Sequence, residues 1–139
     1  MLEAVSARDI AVTGLRAQRT RMNIIAQNIA NAMSPVTAKG GAFRRQMAVL
    51  EADQISPITK PDKFGVRVKQ IASDPSPLRR VFEPNNPIAD ADGYVEYPNI
   101  DLSVEMVDLV SAQRAYEANV AVVLSSKRIS QKALDILQV

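Results

Sequence analysis

The chain has no cysteine and no histidine. Without cysteine it can form no disulfide and no thiolate site. Without histidine it lacks the commonest general base and the commonest metal ligand. Aromatic residues are few, three phenylalanines and three tyrosines in 139 residues, so there is little to stack on nucleic-acid bases. The formal charge is +2, too small to imply attraction to nucleic acid or to an anionic membrane. No apolar run approaches the ~20 residues that span a bilayer. Near the start, Arg8 and Asp9 interrupt what a Sec-type leader would need as a continuous apolar stretch. The expectation is a soluble chain of one core domain plus extensions.

Proline and glycine are absent from most of the chain. All 8 prolines lie between Pro35 and Pro98, and of 5 glycines only Gly14 lies outside that stretch. Both residues break helices. Two helix-permissive arms therefore flank a helix-hostile middle. The expected division is 1–34, an N-terminal helix; 35–100, a β-rich middle; and 101–139, a C-terminal helix. The C-terminal pattern from Leu102 to Leu137 would be roughly 55 Å long as a helix. A compact domain of this size is only roughly 37 Å across. The N-terminal pattern, Leu2 to Ala32, gives roughly 45 Å. The expected fold is α+β, with the long terminal helices paired as an antiparallel coiled coil and the middle as a knob at one end.

The arms carry two apolar rows each. Ala11, Leu15, Gln18, Met22, Ile25 and Ile29 follow alternating four- and three-residue steps, a heptad seam with one polar member. Ile10, Gly14, Ala17 and Ile24 form a second row of small or apolar residues. In the C-terminal arm Leu102, Met106, Leu109, Gln113, Tyr116, Val120 and Val123 form one seam. Val104, Ala115, Ala118, Val122, Ile129, Ala133 and Ile136 form another. A helix lying on one globule needs a single stripe; two stripes imply two neighbours, one of which can belong to another chain. Asp101 is placed to cap the second helix, and Lys127, Arg128 and Lys132 lie toward its carboxyl end, where positive charge suits the dipole.

The middle alternates as strands do. Phe43 to Val49, Phe64 to Ile71, Leu78 to Phe82 and Tyr94 to Tyr97 are the candidates, with Asp92-Gly93 as a turn before the last. Glu51 to Lys63 and Ala72 to Pro77 read as loops. A three- or four-stranded sheet is expected, leaning on the base of the helical pair because so small a sheet is marginal alone.

No residue pattern supports catalysis. Asp90-Ala91-Asp92-Gly93 lacks the ligand spacing of a calcium loop and reads as a tight acidic turn. Glu105 and Asp108 share a helix face and could be an acid/base pair, but near a helix N-terminus they read as dipole complements. Arg16 and Arg19, and Arg44 and Arg45, read as solvated faces or intersubunit salt bridges. Ser125-Ser126-Lys127 does not match the spacing of an acylating serine. No cofactor and no metal is expected.

Three blocks carry a family resemblance. Gly14-Leu15-Arg16-Ala17-Gln18, continuing through Arg21-Met22 to Ala26-Gln27-Asn28-Ile29-Ala30-Asn31, resembles the N-terminal signature of the bacterial flagellar rod and hook axial proteins. Glu105-Met106-Val107 and Ala112-Gln113-Arg114-Ala115-Tyr116-Glu117-Ala118-Asn119 resemble the family's paired C-terminal helix. Pro87 to Val95, followed by Pro98-Asn99-Ile100-Asp101, is similar to the approach to that helix in the proximal rod branch. Phe43-Arg44 fits the family's aromatic before an arginine; Met33 to Thr37 is less typical of it.

The resemblance implies a structural subunit of the proximal rod of the flagellar basal body. It implies export by the flagellar type III apparatus without a Sec signal, a rod crossing the periplasm, and helical self-assembly. It implies neighbours among FlgB, FlgF, FlgG and FliE, no nucleic acid and no membrane insertion. The residues expected to make helix-pairing or subunit contacts are Leu15, Gln18, Met22, Ile25, Asn28, Ile29, Asn31, Met106, Leu109, Gln113, Tyr116, Asn119, Val120 and Val123. Within the hairpin, Leu15, Met22, Ile25 and Ile29 are expected to meet Met106, Leu109, Tyr116, Val120 and Val123. The rival readings are a coiled-coil dimerisation module without a flagellar role, and a small hydrolase or nucleic-acid binder.

Overall fold

The computed structural model describes residues 6–55 and 63–137. In chain order it has α1 (Ala7–Ala30), β1 (Gln46–Gln54), β2 (Phe64–Ser73), β3 (Arg79–Phe82), β4 (Tyr94–Tyr97) and α2 (Leu102–Leu137). The class is α+β, with a helix at each end and antiparallel strands between them.

Helix α1 begins at a reciprocal cap. The Asp9 amide donates to the Ser6 hydroxyl, and the Ser6 amide donates back to the Asp9 carboxylate at 2.9 Å. The two Ser6 donors hold the Asp9 carboxyl below the ordinary carboxylate range. Leu2 to Val5, expected in this helix, lie outside the described residues. The 24 residues of α1 span about 36 Å.

Helix α2 starts where Asp101 Oδ1 accepts from the amides of Ser103 and Val104, as expected of a cap. Its 36 residues span about 54 Å. No basic residue falls in its last turn. Lys127, Arg128 and Lys132 stop short of the end, and the dipole's pull fades within one turn.

The contacts between the helices run in opposite directions along them. Asn28 meets Glu105, Arg21 meets Asp108, and Gly14 approaches Asn119. A Cβ on Gly14 would lie 2.8 Å from Asn119 Nδ2, so only glycine permits this approach without moving the amide. By the same progression the amino end of α1 lies near Ser126, and every described side chain of α2 beyond Ser126 is exposed.

The middle forms two two-stranded sheets, β1–β2 and β3–β4, rather than one sheet of three or four strands. Strand β1 continues through Gln54, across residues expected to be loop. Glu51 is held opposite Arg67 by an ion pair of 2.7 Å and lies 3.5 Å from Lys69, so polar cross-strand pairing replaces the alternation that a buried strand displays. The register shifts between Val49 and Leu50, a bulge that bends the hairpin. Nor is this hairpin a knob at one end. Gln46 donates its amide to Asn28 near the end of α1, and Val66 donates to Thr13 Oγ1 near its start. The β1–β2 ribbon thus lies along α1, and it approaches so closely at Gly65 that a Cβ there would lie 2.5 Å from Thr13 Oγ1.

The acidic turn before β4 is as read. Asp90 Oδ1 accepts from the amides of Asp92 and Tyr94, Gly93 has φ of +83°, and Arg80 pairs with Asp90 at 2.7 Å. The buried apolar set is small: Ala11, Ala17, Ile24, Ile25, Ala32, Val95 and Ala112.

Candidate assembly surface and its polar joint

Glu105 lies in the first turns of α2 and is completely buried. A buried carboxylate must be paired and hydrogen-bonded. Arg45 Nε donates to Glu105 Oε1 at 2.5 Å, and Asn28 Nδ2 donates to Oε2 at 3.0 Å. Asn28 is itself buried and uses its whole amide. Nδ2 also donates to Gln46 O at 2.8 Å, and Oδ1 accepts from the Gln46 amide at 2.9 Å. Arg45 reaches Asp108 at 3.4 Å and Asp74 at 3.7 Å, and its own amide donates to Asn99 Oδ1. One joint therefore ties together α1, the entry to β1, the exit of β2 and the start of α2.

The joint's electrostatics follow from these distances. Burial works against the Arg45 cation, but the Glu105 hydrogen bond and the charges of Glu105, Asp108 and Asp74 outweigh it and raise its pKa further. Ser76 donors and then Arg45 hold the Asp74 carboxyl below its ordinary value. Reading Glu105 and Asp108 as dipole complements, and Arg45 as a solvated or intersubunit charge, is therefore corrected. Burial beside Asn28 recruits them into one internal network. The signal was present: Glu105, Ala112 and Asn119 recur every seven residues, and a charge on such a seam needs a partner. The network contains no nucleophile, and among the described residues no cluster could hold a metal ion.

The helix faces are arranged differently from the apolar seams read in the sequence. On α1, Ala11, Gly14, Ala17, Ile24, Ile25 and Asn28 are buried. Leu15, Gln18, Met22, Ile29 and Asn31 are half-buried. Among the described side chains of α2 only Glu105 and Ala112 are buried, whereas Leu109, Tyr116, Asn119, Val120 and Val123 are half-buried. Met106, 62% exposed, and Gln113 face away from α1. The expected partnership of Met106 with α1 within one chain is thus corrected. Close approach at Gly14 selects small residues for the inner seam and turns larger ones outward. Asn31 and Asn119 donate to carbonyls of their own helices, and Gln18 Oε1 is buried with no hydrogen-bond partner among the described residues.

Among its exposed residues α2 leaves several large apolar side chains. Leu102, Val104, Met106, Val107 and Val110 are exposed on its first half, and Val122, Leu124, Ile129, Leu134 and Ile136 on its second. Two such groups of exposed large apolar side chains, one toward each end of the helix, are candidate interaction surfaces. No described helix is long and apolar enough to cross a membrane.

Fold and surface together describe an α+β chain with long terminal helices and exposed apolar side chains on α2, and comparison with known proteins gives the class. Residues 9–32 match the family described as flagella basal body rod protein, and residues 91–136 match the C-terminal family of flagellar basal body rod FlgEFG proteins. The flagellar basal-body rod protein FlgC of Borreliella burgdorferi is 44% identical over 147 residues, covering 96% of this chain and 97% of that protein. FlgC of Yersinia enterocolitica is 44% identical, covering 94% of this chain and 95% of that one. FlgC of Bacillus subtilis is 35% identical, covering 97% and 99%. The chain belongs to the FlgC family of flagellar basal-body rod proteins, a structural family and not an enzymatic one.

Proposed function

We propose that this chain assembles helically into the proximal rod and transmits torque along it as the rod crosses the periplasm. In this reading the arms, 1–34 and 101–139, pair as an antiparallel coiled coil and form the rod core, with 35–100 packed beside them. The neighbours are further copies of the chain and the rod proteins FlgB, FlgF, FlgG and FliE. Delivery is by the flagellar type III apparatus. The observation that carries the reading is the large apolar side chains left exposed on both halves of α2, Leu102, Val104, Met106, Val107 and Val110 on the first and Val122, Leu124, Ile129, Leu134 and Ile136 on the second. A stiff tube needs long helices packed against more than one neighbour, and helical assembly uses different patches on successive copies.

Leu15, Gln18, Met22, Ile29, Met106, Leu109, Gln113, Tyr116, Val120 and Val123 are proposed as contacts, some within the arm and some between copies. Leu109→Asp should block rod assembly while leaving secretion intact, and normal motility in that strain would defeat the assignment. Before assembly the arms are partly disordered or self-associating, because an unpaired apolar row gains no burial for its ordering entropy. Slow hydrogen exchange along the whole of both arms in dilute monomer would count against this. Sizing separates the rod from a dimerisation module: open-ended, concentration-dependent association fits the rod, and a closed dimer fits the module.

A further inference from the structure

We infer that the Glu105–Arg45–Asn28 cluster sets the register of the two-helix arm. The seam between the helices repeats every seven positions: Glu105, Ala112, Asn119 and Ser126 on α2 against Gly14, Arg21 and Asn28 on α1. Shifting α2 by one heptad would bring Ser126 opposite Gly14 and Ala112 opposite Asn28. Ser126 would replace Asn119 opposite Gly14 and Ala112 would replace Glu105 opposite Asn28, each smaller than the residue it displaces. No steric clash opposes the shift, so packing at these positions separates the two registers weakly. The polar joint separates them sharply. In the shifted register Glu105 would pass beyond the end of α1, Asn28 Nδ2 would lose a partner, and Arg45 would lose the carboxylates of Glu105 and Asp108. A single polar group fixing helix register is the best-attested use of such buried groups.

The joint does this for a chain whose partner segments are distant in sequence. Asn28 and Glu105 are 77 residues apart, and Arg45 and Glu105 are 60 apart. Arg45 is positioned by its amide on Asn99 and by its pairing with Asp74. Glu105 can be buried only when the β1 entry is already docked on α1. The correct pairing of the arms is therefore tied to completion of the middle, and a chain with an undocked middle has no preferred register.

This inference rests on the pairing of α1 with α2, and disulfide trapping tests both. The native chain has no cysteine, so trapping has no background. Gly14→Cys with Asn119→Cys reports the observed register, since the Asn119 substitution vacates the space that a Cβ at position 14 needs. Gly14→Cys with Ser126→Cys, carrying Asn119→Ala so that the Cβ at position 14 is again accommodated, reports the shifted one, whose partners lie about 10 Å apart along the axis in the observed register, beyond disulfide reach. Each pair is oxidised in dilute full-length monomer with and without Arg45→Met plus Glu105→Leu. That apolar replacement removes the charges without stranding one.

With the joint intact, the first pair should close and the second should not. With the joint replaced, the second pair should close at least ten-fold more than before, while the melting temperature falls by no more than a few degrees. If the first pair fails to close in the otherwise native chain, the helix pairing itself is wrong. If it closes and the second stays open after replacement, the pairing stands and the lock is refuted. Loss of helix on replacement also refutes it, because the joint would then be a source of stability and not of register.

Discussion

Arg45→Ala tests the joint by stranding its carboxylate. In the intact chain Glu105 is fully buried, with Arg45 Nε on one oxygen and Asn28 Nδ2 on the other. Removing the guanidinium leaves one neutral donor against a buried charge. Breaking such a pair costs about 3–5 kcal/mol. The cost should fall at the lower end, because the Arg45 side chain is 19% exposed and water can follow into its place. The accompanying loss of the longer Asp108 and Asp74 contacts, at 3.4 and 3.7 Å, adds less, as ion pairs that water still reaches are worth about 0–1 kcal/mol each. The expected loss is about 3 kcal/mol, which for a chain of this length corresponds to a melting-temperature drop of about 10 °C.

Urea unfolding followed by far-ultraviolet circular dichroism measures it, with Glu105→Gln and the double variant completing a cycle. Glu105→Gln alone should cost less, since Arg45 keeps Asp74 and Asp108. The double variant should lose well under the sum of the two single losses, because no buried charge is then left unpaired. A loss below about 1 kcal/mol for Arg45→Ala, or strict additivity in the cycle, would refute the account of a buried pair.

Gly65→Ala should cost about 1–3 kcal/mol by overpacking against Thr13 and Ile55, and adding Thr13→Ala should recover part of that in the same unfolding assay. Gly93→Ala should loosen the β3–β4 turn, since φ is +83° there and a Cβ would meet the Phe82 ring; weaker tyrosine near-ultraviolet dichroism would report it. The Tyr94 amide, and then Arg80, hold the Asp90 carboxyl below its ordinary 3.8. Its stabilising contribution is thus fully present above pH 3.8 and lost as pH falls through the lower folded value; Asp90→Asn should remove that part of the acid dependence, leaving the parts due to Asp9, Glu51 and Asp74. Truncation after Ser126 should leave the urea midpoint nearly unchanged, because every described side chain beyond it is exposed, yet sedimentation should show that self-association is lost.

The ends of this fold were legible because proline and glycine mark them. Helix α2 spans the expected Leu102 to Leu137 with Asp101 as its cap, and α1 closes before the first proline. The faces were not legible in the same way. A periodicity reading ranks large apolar side chains as inner, and so chose Met106 and Leu102; both are exposed in the single chain. The inner seam goes instead to Gly14, Ala17 and Ala112, because the distance between helix axes is set by the smallest residues that meet, and those score poorly as hydrophobes. The joint was missed for a related reason. A glutamate and an arginine count as surface residues by default, and the seven-residue spacing of Glu105, Ala112 and Asn119, the one sequence sign of burial there, gives no hint of Arg45 as the partner.

These two misses share one cause. This chain buries Ile24, Ile25 and Val95 but leaves most of the large apolar side chains of α2 exposed, and the proposed assembly is what would cover them. What remains to define the single chain is close helix approach and a few buried polar bonds. The more a sequence invests its large hydrophobes in neighbours, the more its own register must depend on residues such as Asn28 and Glu105. Replacing the joint should therefore disturb how the arms align more than it disturbs how much helix they form.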